Sequence, residues 1–298
     1  MMEVLSSGDK IFFETAVTIG NFDGLHKGHL ELINKLCENA KNKGLKSVIY
    51  ILEKKINAKN NRITTKTQKV EILKELGVDY VYFEDFTKEF SNIKADSFIS
   101  DILKNRLNAK LIVVGSDCKF GYKRQGDIEY LKSLSTKLNY DVEVVEKIKD
   151  VSSTAIRNLI QDGEISKANI LLNRKYSLEG VVKEGLKIGR TIGFKTANLD
   201  IELDVVLPKN GVYKTKTKYN NKTYNSITNV GNNPTISNLD YKSVETHIFN
   251  FDKEIYGENI EVEFLGKIRD EIKFSSKEEL IMQIKKDIRV CDNFGKIV

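Results

Sequence analysis

His26 and His29 stand three positions apart in the run TIGNFDGLHKGH, residues 18–29. An apolar run, TAVTIG over 15–20, precedes them, and helical spacing follows. Gly20, Gly24 and Gly28 let the main chain approach a bound group closely. A helix starting near Gly28 aims its free N–H groups and positive dipole end at the same place, an anion site in the making. Two ring N–H donors beside that start suit the charge that builds on a phosphate during transfer. A metal pair is the rival reading. It wants a third strong ligand, and the only other histidine of the chain is His247, far along the sequence. The preceding strand, the glycines and the intervening Asn21, Phe22 and Asp23 favour the phosphate.

Two further stretches have the composition of phosphate sites. VSSTAIRNLI, 151–160, is another helix start. Ser152, Ser153 and Thr154 offer hydroxyls and backbone N–H groups, and Arg157 lies one turn in, an arrangement able to grip a triphosphate. An ordinary Ser/Thr cap beside a solvated arginine is the plain alternative. EGLKIGRTIGFKTANLD, 184–200, spaces Gly185, Gly189 and Gly193 around Lys187 and Arg190. That suits a flap closing on phosphates, or simply a flexible hairpin.

The elements that must position these residues divide in two. Up to about residue 150, strand-like runs at 15–20, 46–52, 78–83, 109–115 and 140–148 alternate with helical periods at 28–44, 65–77, 95–107 and 127–139. That rhythm predicts a parallel sheet with helices on both faces. Short helices are expected at 153–161 and 165–172. Evenly spaced short strands then follow, punctuated by NN and NG pairs, and they predict a small barrel or sandwich. SSKEELIMQIKKDI closes the pattern as a helix with a capping box at Ser276 and Glu279. The expected domains are 1–174 and 175–298.

Composition bounds the rest. The net charge of +6, from 48 basic and 42 acidic residues, suits anionic small molecules, and no block of like charge argues for nucleic acid. Cys37, Cys118 and Cys291 are far apart with no CxxC pair, which fits a reducing cytoplasm rather than a disulfide framework or zinc site. No apolar run is long enough to span a membrane and the N-terminus does not read as a signal peptide.

GNFDGLHKGH resembles the HxGH signature of the nucleotidyltransferase superfamily, and VSSTAIRNLI resembles its second signature. VVGSDCKFGYKRQGD, 113–127, resembles a segment of the adenylyltransferase half of bacterial riboflavin kinase/FMN adenylyltransferase; Asp117, Phe120 and Gly121 match, while Ser116 and Cys118 depart. Thr196-Ala197-Asn198 resembles the PTAN motif of riboflavin kinases, and both NVGNNPT (229–235) and the run 243–274 are similar to the same family.

The resemblance implies an HxGH-type α/β domain followed by a riboflavin-kinase β-barrel with a C-terminal helix. It implies phosphorylation of riboflavin to FMN and adenylylation of FMN to FAD, with ATP as substrate and Mg2+ as cofactor. By that resemblance His26 and His29 contact ATP phosphates, and Gly20, Asn21, Phe22, Asp23, Gly24, Gly28, Ser153, Thr154 and Arg157 belong to the first ATP site. Gly185, Gly189, Arg190 and Gly193 belong to the second. Thr196 and Asn198 hold Mg2+, Glu245 is the general base, and Asp117, Phe120, Arg269 and Phe274 serve the flavins. His247 is expected to be structural.

Two departures matter. A proline-bearing stretch of the family reads YILEKKIN at 50–57, and the motif's proline is Lys195. Loss of one activity, with the kinase kept, therefore stays open, as do a flavin-binding regulator and a homo-oligomer.

Overall fold

The computed structural model describes residues 2–6, 8–54, 62–185, 193–232 and 242–293. The chain forms two compact units. The first comprises Met1–Ala58 and Arg62–Ser153, and the second contains Thr154–Val298.

The first unit is a six-stranded, all-parallel sheet: β1 (Glu3–Leu5), β2 (Thr15–Gly20), β3 (Lys46–Lys54), β4 (Tyr80–Phe86), β5 (Ala109–Gly115) and β6 (Asp141–Val145), in the order β1-β4-β3-β2-β5-β6. Its central strands are buried on both faces, which is why they read as unbroken apolar runs. Ala16, Ile49, Val81 and Leu111 face one core, while Val17, Tyr50, Tyr82 and Ile112 face the other. From β2 the chain winds outward one way through β3 and β4, then crosses to β5 and β6 on the other side. The order therefore reverses between β2 and β5, and in open α/β sheets ligands bind at such a switch point, beyond the carboxyl ends of the strands.

α1 (Lys27–Lys43) buries Leu32, Ile33, Leu36 and Ala40 and stops at Gly44, whose φ of 66° closes the helix in the left-handed region. α2 (Lys66–Glu75) opens on a complete capping box of Thr65 and Gln68. The helix expected at 95–107 begins as α-helix at Ala95–Ser97 and continues as π-helix over Phe98–Arg106.

The second unit takes up the chain at Thr154, within the helix Ser153–Gln161, and continues with the helix Ile165–Leu172. The second of these is tied to the strands that follow: Asn169 donates to the Phe264 carbonyl at 2.9 Å and accepts the Tyr176 N–H at 2.7 Å. Six strands then close a barrel: β7 (Tyr176–Lys183), β8 (Ala197–Asp200), β9 (Gly211–Tyr219), β10 (Lys222–Asn232), β11 (Lys242–Ile248) and β12 (Asn259–Arg269), ordered β10-β11-β8-β7-β12-β9 and paired antiparallel. Closure removes the open sheet edges that would otherwise invite pairing with other chains.

Part of the barrel interior is polar, and it is satisfied internally. The buried hydroxyls of Thr217, Ser226, Thr215, Thr228 and Thr246 form a continuous chain with spacings of 2.7 to 2.9 Å. The helix Lys277–Asn293 sets Cys291 against Val212 and Ile227. Its cap is shifted from expectation: Ser276 Oγ accepts the Glu279 N–H, but the Glu279 carboxylate answers to Ser275. Among the described residues, no helix is long and apolar enough to cross a membrane.

Candidate active sites

In the first unit β2 ends at Gly20, beneath the Phe22 ring; a Cβ there would meet the ring at 3.0 Å. The chain then turns through Phe22, Gly24 and Leu25 with φ of 50°, 79° and 39°. Left-handed backbone costs a non-glycine residue about 1–2 kcal/mol. Phe22 and Leu25 are fully buried in the core, and such burial is worth roughly 1.5–3 kcal/mol each, enough to hold the turn. The Asp23 carboxylate accepts the Ile63 N–H at 2.8 Å, and Ser153 Oγ donates to the Asp23 carbonyl at 2.9 Å.

The turn delivers His26 as the N-cap of α1, where its Nδ1 accepts the His29 N–H at 3.4 Å. The His29 ring stacks on His26 with centroids 3.7 Å apart and leans on Phe22 at 5.2 Å.

Beside this pair lies a cavity of about 250 Å3, lined by His26, Gly28 and His29 and also by Gly115, Asp117 and Ser153. It joins the end of the β2 motif to the end of β5, the two strands that flank the switch point. Asp117 faces Lys147 at 2.9 Å, and that ammonium holds its carboxyl below the usual range. Gly20 to Gly24 shape the loop and do not line the cavity. Phe120 is packed 5.5 Å from Phe98 in the core. Thr154 and Arg157 lie on the helix Ser153–Gln161, within the second compact unit.

The second unit holds two cavities that share a wall. The larger, about 360 Å3, is lined by Phe194, Ile272, Phe274, Leu280 and Ile284 and carries the Glu245 carboxylate. The smaller, about 70 Å3, is lined by Gly185, Lys195, Asn198 and Thr246. Thr196 lines both. Strand register sets this up: Glu245 on β11 stands opposite Asn198 on β8 and opposite Asn229 on β10. Burial pushes the Glu245 carboxyl above its ordinary range. Gly185 approaches the Asn198 amide so closely that any Cβ would collide with it. Gly193 takes φ 83°, while Gly189 and Arg190 lie outside the described residues.

Arg269 and Phe274 line the larger cavity, with the guanidinium 5.9 Å from the ring centroid. Sequence reasoning missed what holds Arg269. Asp287, buried on the C-terminal helix, accepts from Arg269 Nε at 2.9 Å and from its terminal nitrogen at 2.8 Å, and Gln283 adds a bond at 2.7 Å. The signal was present, since Leu280, Ile284 and Asp287 form one stripe at helical spacing and a carboxylate there needs a partner. Glu271 and Asp287 also line this cavity, so it holds three carboxylates with Glu245.

The departure at Lys195 is anchored. The His247 ring donates from Nδ1 to the Lys195 carbonyl at 2.8 Å and packs edge-on against Phe194, and the Lys195 ammonium lies 3.3 Å from Asp252. His247 also lines the larger cavity. The other departure, YILEKKIN, is strand β3 as far as Lys54, and its last three residues lie outside the described ones.

Comparison with known proteins gives two family matches, FAD synthetase over residues 9–157 and riboflavin kinase over residues 172–294. The bifunctional riboflavin kinase/FMN adenylyltransferase of Buchnera aphidicola subsp. Schizaphis graminum is 37% identical, covering 97% of this chain and 96% of its own length. That of Haemophilus influenzae is 36% identical with 97% of each chain covered, and that of Escherichia coli K12 is 33% identical over 91% of this chain and 90% of its own. A crystal structure described as a macrolide-efflux protein from Streptococcus pneumoniae superposes with a TM-score of 0.89 at 31% identity, covering 97% of this chain and 99% of that one.

Proposed function

The chain belongs to the family of bifunctional riboflavin kinases/FMN adenylyltransferases, carrying both domains, and from that premise we propose how its residues divide the work. The barrel domain phosphorylates riboflavin to FMN, and the α/β domain adenylylates FMN to FAD, each consuming ATP. We set the functional boundary at 174/175, between the two helices and β7.

In the kinase site the shared wall at Thr196 is the observation that carries the assignment. The apolar, aromatic-lined larger cavity suits the flavin ring. The smaller one suits the phosphate end of ATP, closed over by the glycine-bearing segment at Gly185, Gly189, Arg190 and Gly193. Glu245 takes the proton of the ribityl hydroxyl as that oxygen bonds to the γ-phosphorus and the bond to ADP breaks. Its desolvated carboxylate supports the role, because burial makes it a stronger base. Arg269, held by Asp287, and Phe274 close the flavin side.

The oxygens of Thr196 and Asn198 fit Mg2+. They are hard ligands, and Gly185 leaves Asn198 a cradle that a Cβ would fill. Among the described residues, no group of three His, Cys, Asp or Glu side chains could hold a metal alone, so the ion would take its other ligands from phosphate and water. When bound it supplies charge neutralisation on the transferred phosphoryl group.

In the adenylyltransferase site the FMN phosphate attacks the α-phosphorus of ATP and pyrophosphate leaves. His26, His29, the N-terminal N–H groups of α1 and Ser153 would stabilise the charge that develops there, with Gly20, Asn21, Phe22, Asp23, Gly24 and Gly28 shaping the loop. Asp117 is assigned to the flavin side, while Phe120, packed against Phe98 in the core, is not. A cytoplasmic location, where ATP and free riboflavin meet, completes the reading.

The test is chromatography of flavins after incubating the purified chain with ATP and Mg2+, once with riboflavin and once with FMN. FMN and FAD are expected from the first mixture and FAD from the second. FMN as the sole product would leave only the kinase, and no conversion would return the flavin-binding regulator.

A further inference from the structure

Behind the histidine-bearing turn runs a segment without a motif, Ile63 to Lys69, and it touches that turn at three points. The Ile63 N–H donates to the Asp23 carboxylate at 2.8 Å, and the Gly24 N–H donates to Thr64 Oγ1 at 3.1 Å. The Lys69 ammonium, on the second turn of the segment, donates to the Asn21 carbonyl at 3.1 Å. The Thr65–Gln68 capping box fixes where this segment stands, with bonds of 3.0 and 3.1 Å.

Lys69 is only 3% exposed. A buried ammonium is costly unless it is compensated, and apolar residues would pack an inward helix face without that cost. Burial pulls Lys69 below the usual lysine range; the Asp23 and Glu53 carboxylates oppose that pull, and Arg62 and Lys66 add to it. The charge sits where the chain must hold a left-handed turn at Phe22 and Leu25, and its bond goes to the carbonyl immediately before that turn.

We propose that Lys69 is a positioning residue for adenylyl transfer, clamping the Asn21 carbonyl so that the Phe22–Leu25 turn presents His26 and His29 in their stacked geometry. The inference rests on the adenylyltransferase reading of the first site. Lys69 does not line the cavity and acts through the turn. Releasing the carbonyl lets the turn relax toward ordinary backbone, and a displacement of about 1 Å at a reacting centre can cost roughly a hundredfold in rate.

The experiment uses the full chain, whose kinase domain is an internal standard. Lys69→Met keeps the length and loses the charge; Thr64→Val keeps the shape and loses the acceptor for Gly24. FAD formation from supplied FMN and ATP, and FMN formation from riboflavin, are measured for each at saturating substrate and across a substrate series. The expected result for Lys69→Met is a ten- to hundredfold fall in kcat for FAD formation, with the KM for FMN changed less than threefold. FMN formation should stay within twofold of wild type, and Lys69→Arg should recover part of the loss. Thr64→Val should lower the same kcat several-fold. It decides the matter if Lys69→Met does not fold.

An FAD-forming rate within twofold of wild type in the folded variants overturns the proposal. So does an equal loss of both activities, which would make the lysine a general folding element. A wild-type chain that makes no FAD from FMN would instead sink the adenylyltransferase reading itself.

Discussion

On the proposed assignment the two sites face the same reagent, ATP, with different equipment, and the acceptor accounts for the difference. FMN arrives at the first site with a phosphate whose second pKa is about 6, so it is already a nucleophile at neutral pH. That site presents two stacked imidazoles and a helix N-terminus, set by a left-handed turn braced from behind and by the Ser153 hydroxyl on the Asp23 carbonyl. Riboflavin arrives at the second site with an alcohol, which must lose a proton as it attacks. That site accordingly places a partly desolvated carboxylate, Glu245, in the flavin-sized cavity, across a shared threonine from the nucleotide-sized one. On the proposed assignment, the protein would organise positive partial charge where the acceptor is pre-ionised and add a base where it is not.

Single changes can break this division. The largest effect is expected at His29, where alanine removes both the ring donor and the stack on His26. FAD formation should fall by about a hundred- to a thousandfold, as for loss of a preorganised transition-state donor, while riboflavin phosphorylation is unchanged. A flavin product assay reads both rates. Next comes Gly185→Ala. Its new methyl must displace the Asn198 amide, and FMN formation should drop by roughly a hundredfold with FAD formation from FMN retained. Asp287→Asn should be milder in rate and wider in reach. It removes the charge facing the Arg269 guanidinium, so the KM for riboflavin should rise and denaturant unfolding should reveal a loss of about 3 kcal/mol.

The smallest effect sharpens the comparison through pH. Because burial raises the Glu245 pKa, kcat/KM for FMN formation should decline on the acid side at a pH above the ordinary glutamate value of about 4.3, and Glu245→Gln should remove that limb from whatever FMN formation remains. The stability consequence has a definite sign. A raised folded pKa contributes stability that is present below the unfolded pKa and lost as pH rises through the folded one. Glu245→Gln should therefore melt slightly above the wild type at neutral pH and lose that advantage near pH 4.

Much of this was legible in the residues. Strands Thr15–Gly20 and Ala109–Gly115 and the helices Ser153–Gln161 and Ile165–Leu172 fall where the apolar spacing put them, because two-sided burial and capped helices leave strong patterns. β1 was silent, as three residues at a sheet edge carry little pattern, and β8, four residues long, was read only as a motif. The histidine pair and Glu245 stood out as candidates from motifs, and each lines a cavity of the described structure. Their supports did not: Lys69, Asp287 and the His247–Lys195 bond join residues far apart in sequence, and only the fold brings them together. Phe120, expected at the flavin, is a core residue in the described structure, where a loop motif and a packing residue share one sequence signal.

The central claim is that one carboxylate serves one of two separable reactions. It is tested most directly by the flavin products of the Glu245→Gln chain with ATP and Mg2+. Supplied with riboflavin, this variant should make neither FMN nor FAD; supplied with FMN, it should make FAD at the wild-type rate. FMN formation at an undiminished rate, or loss of FAD formation from supplied FMN, would contradict the account.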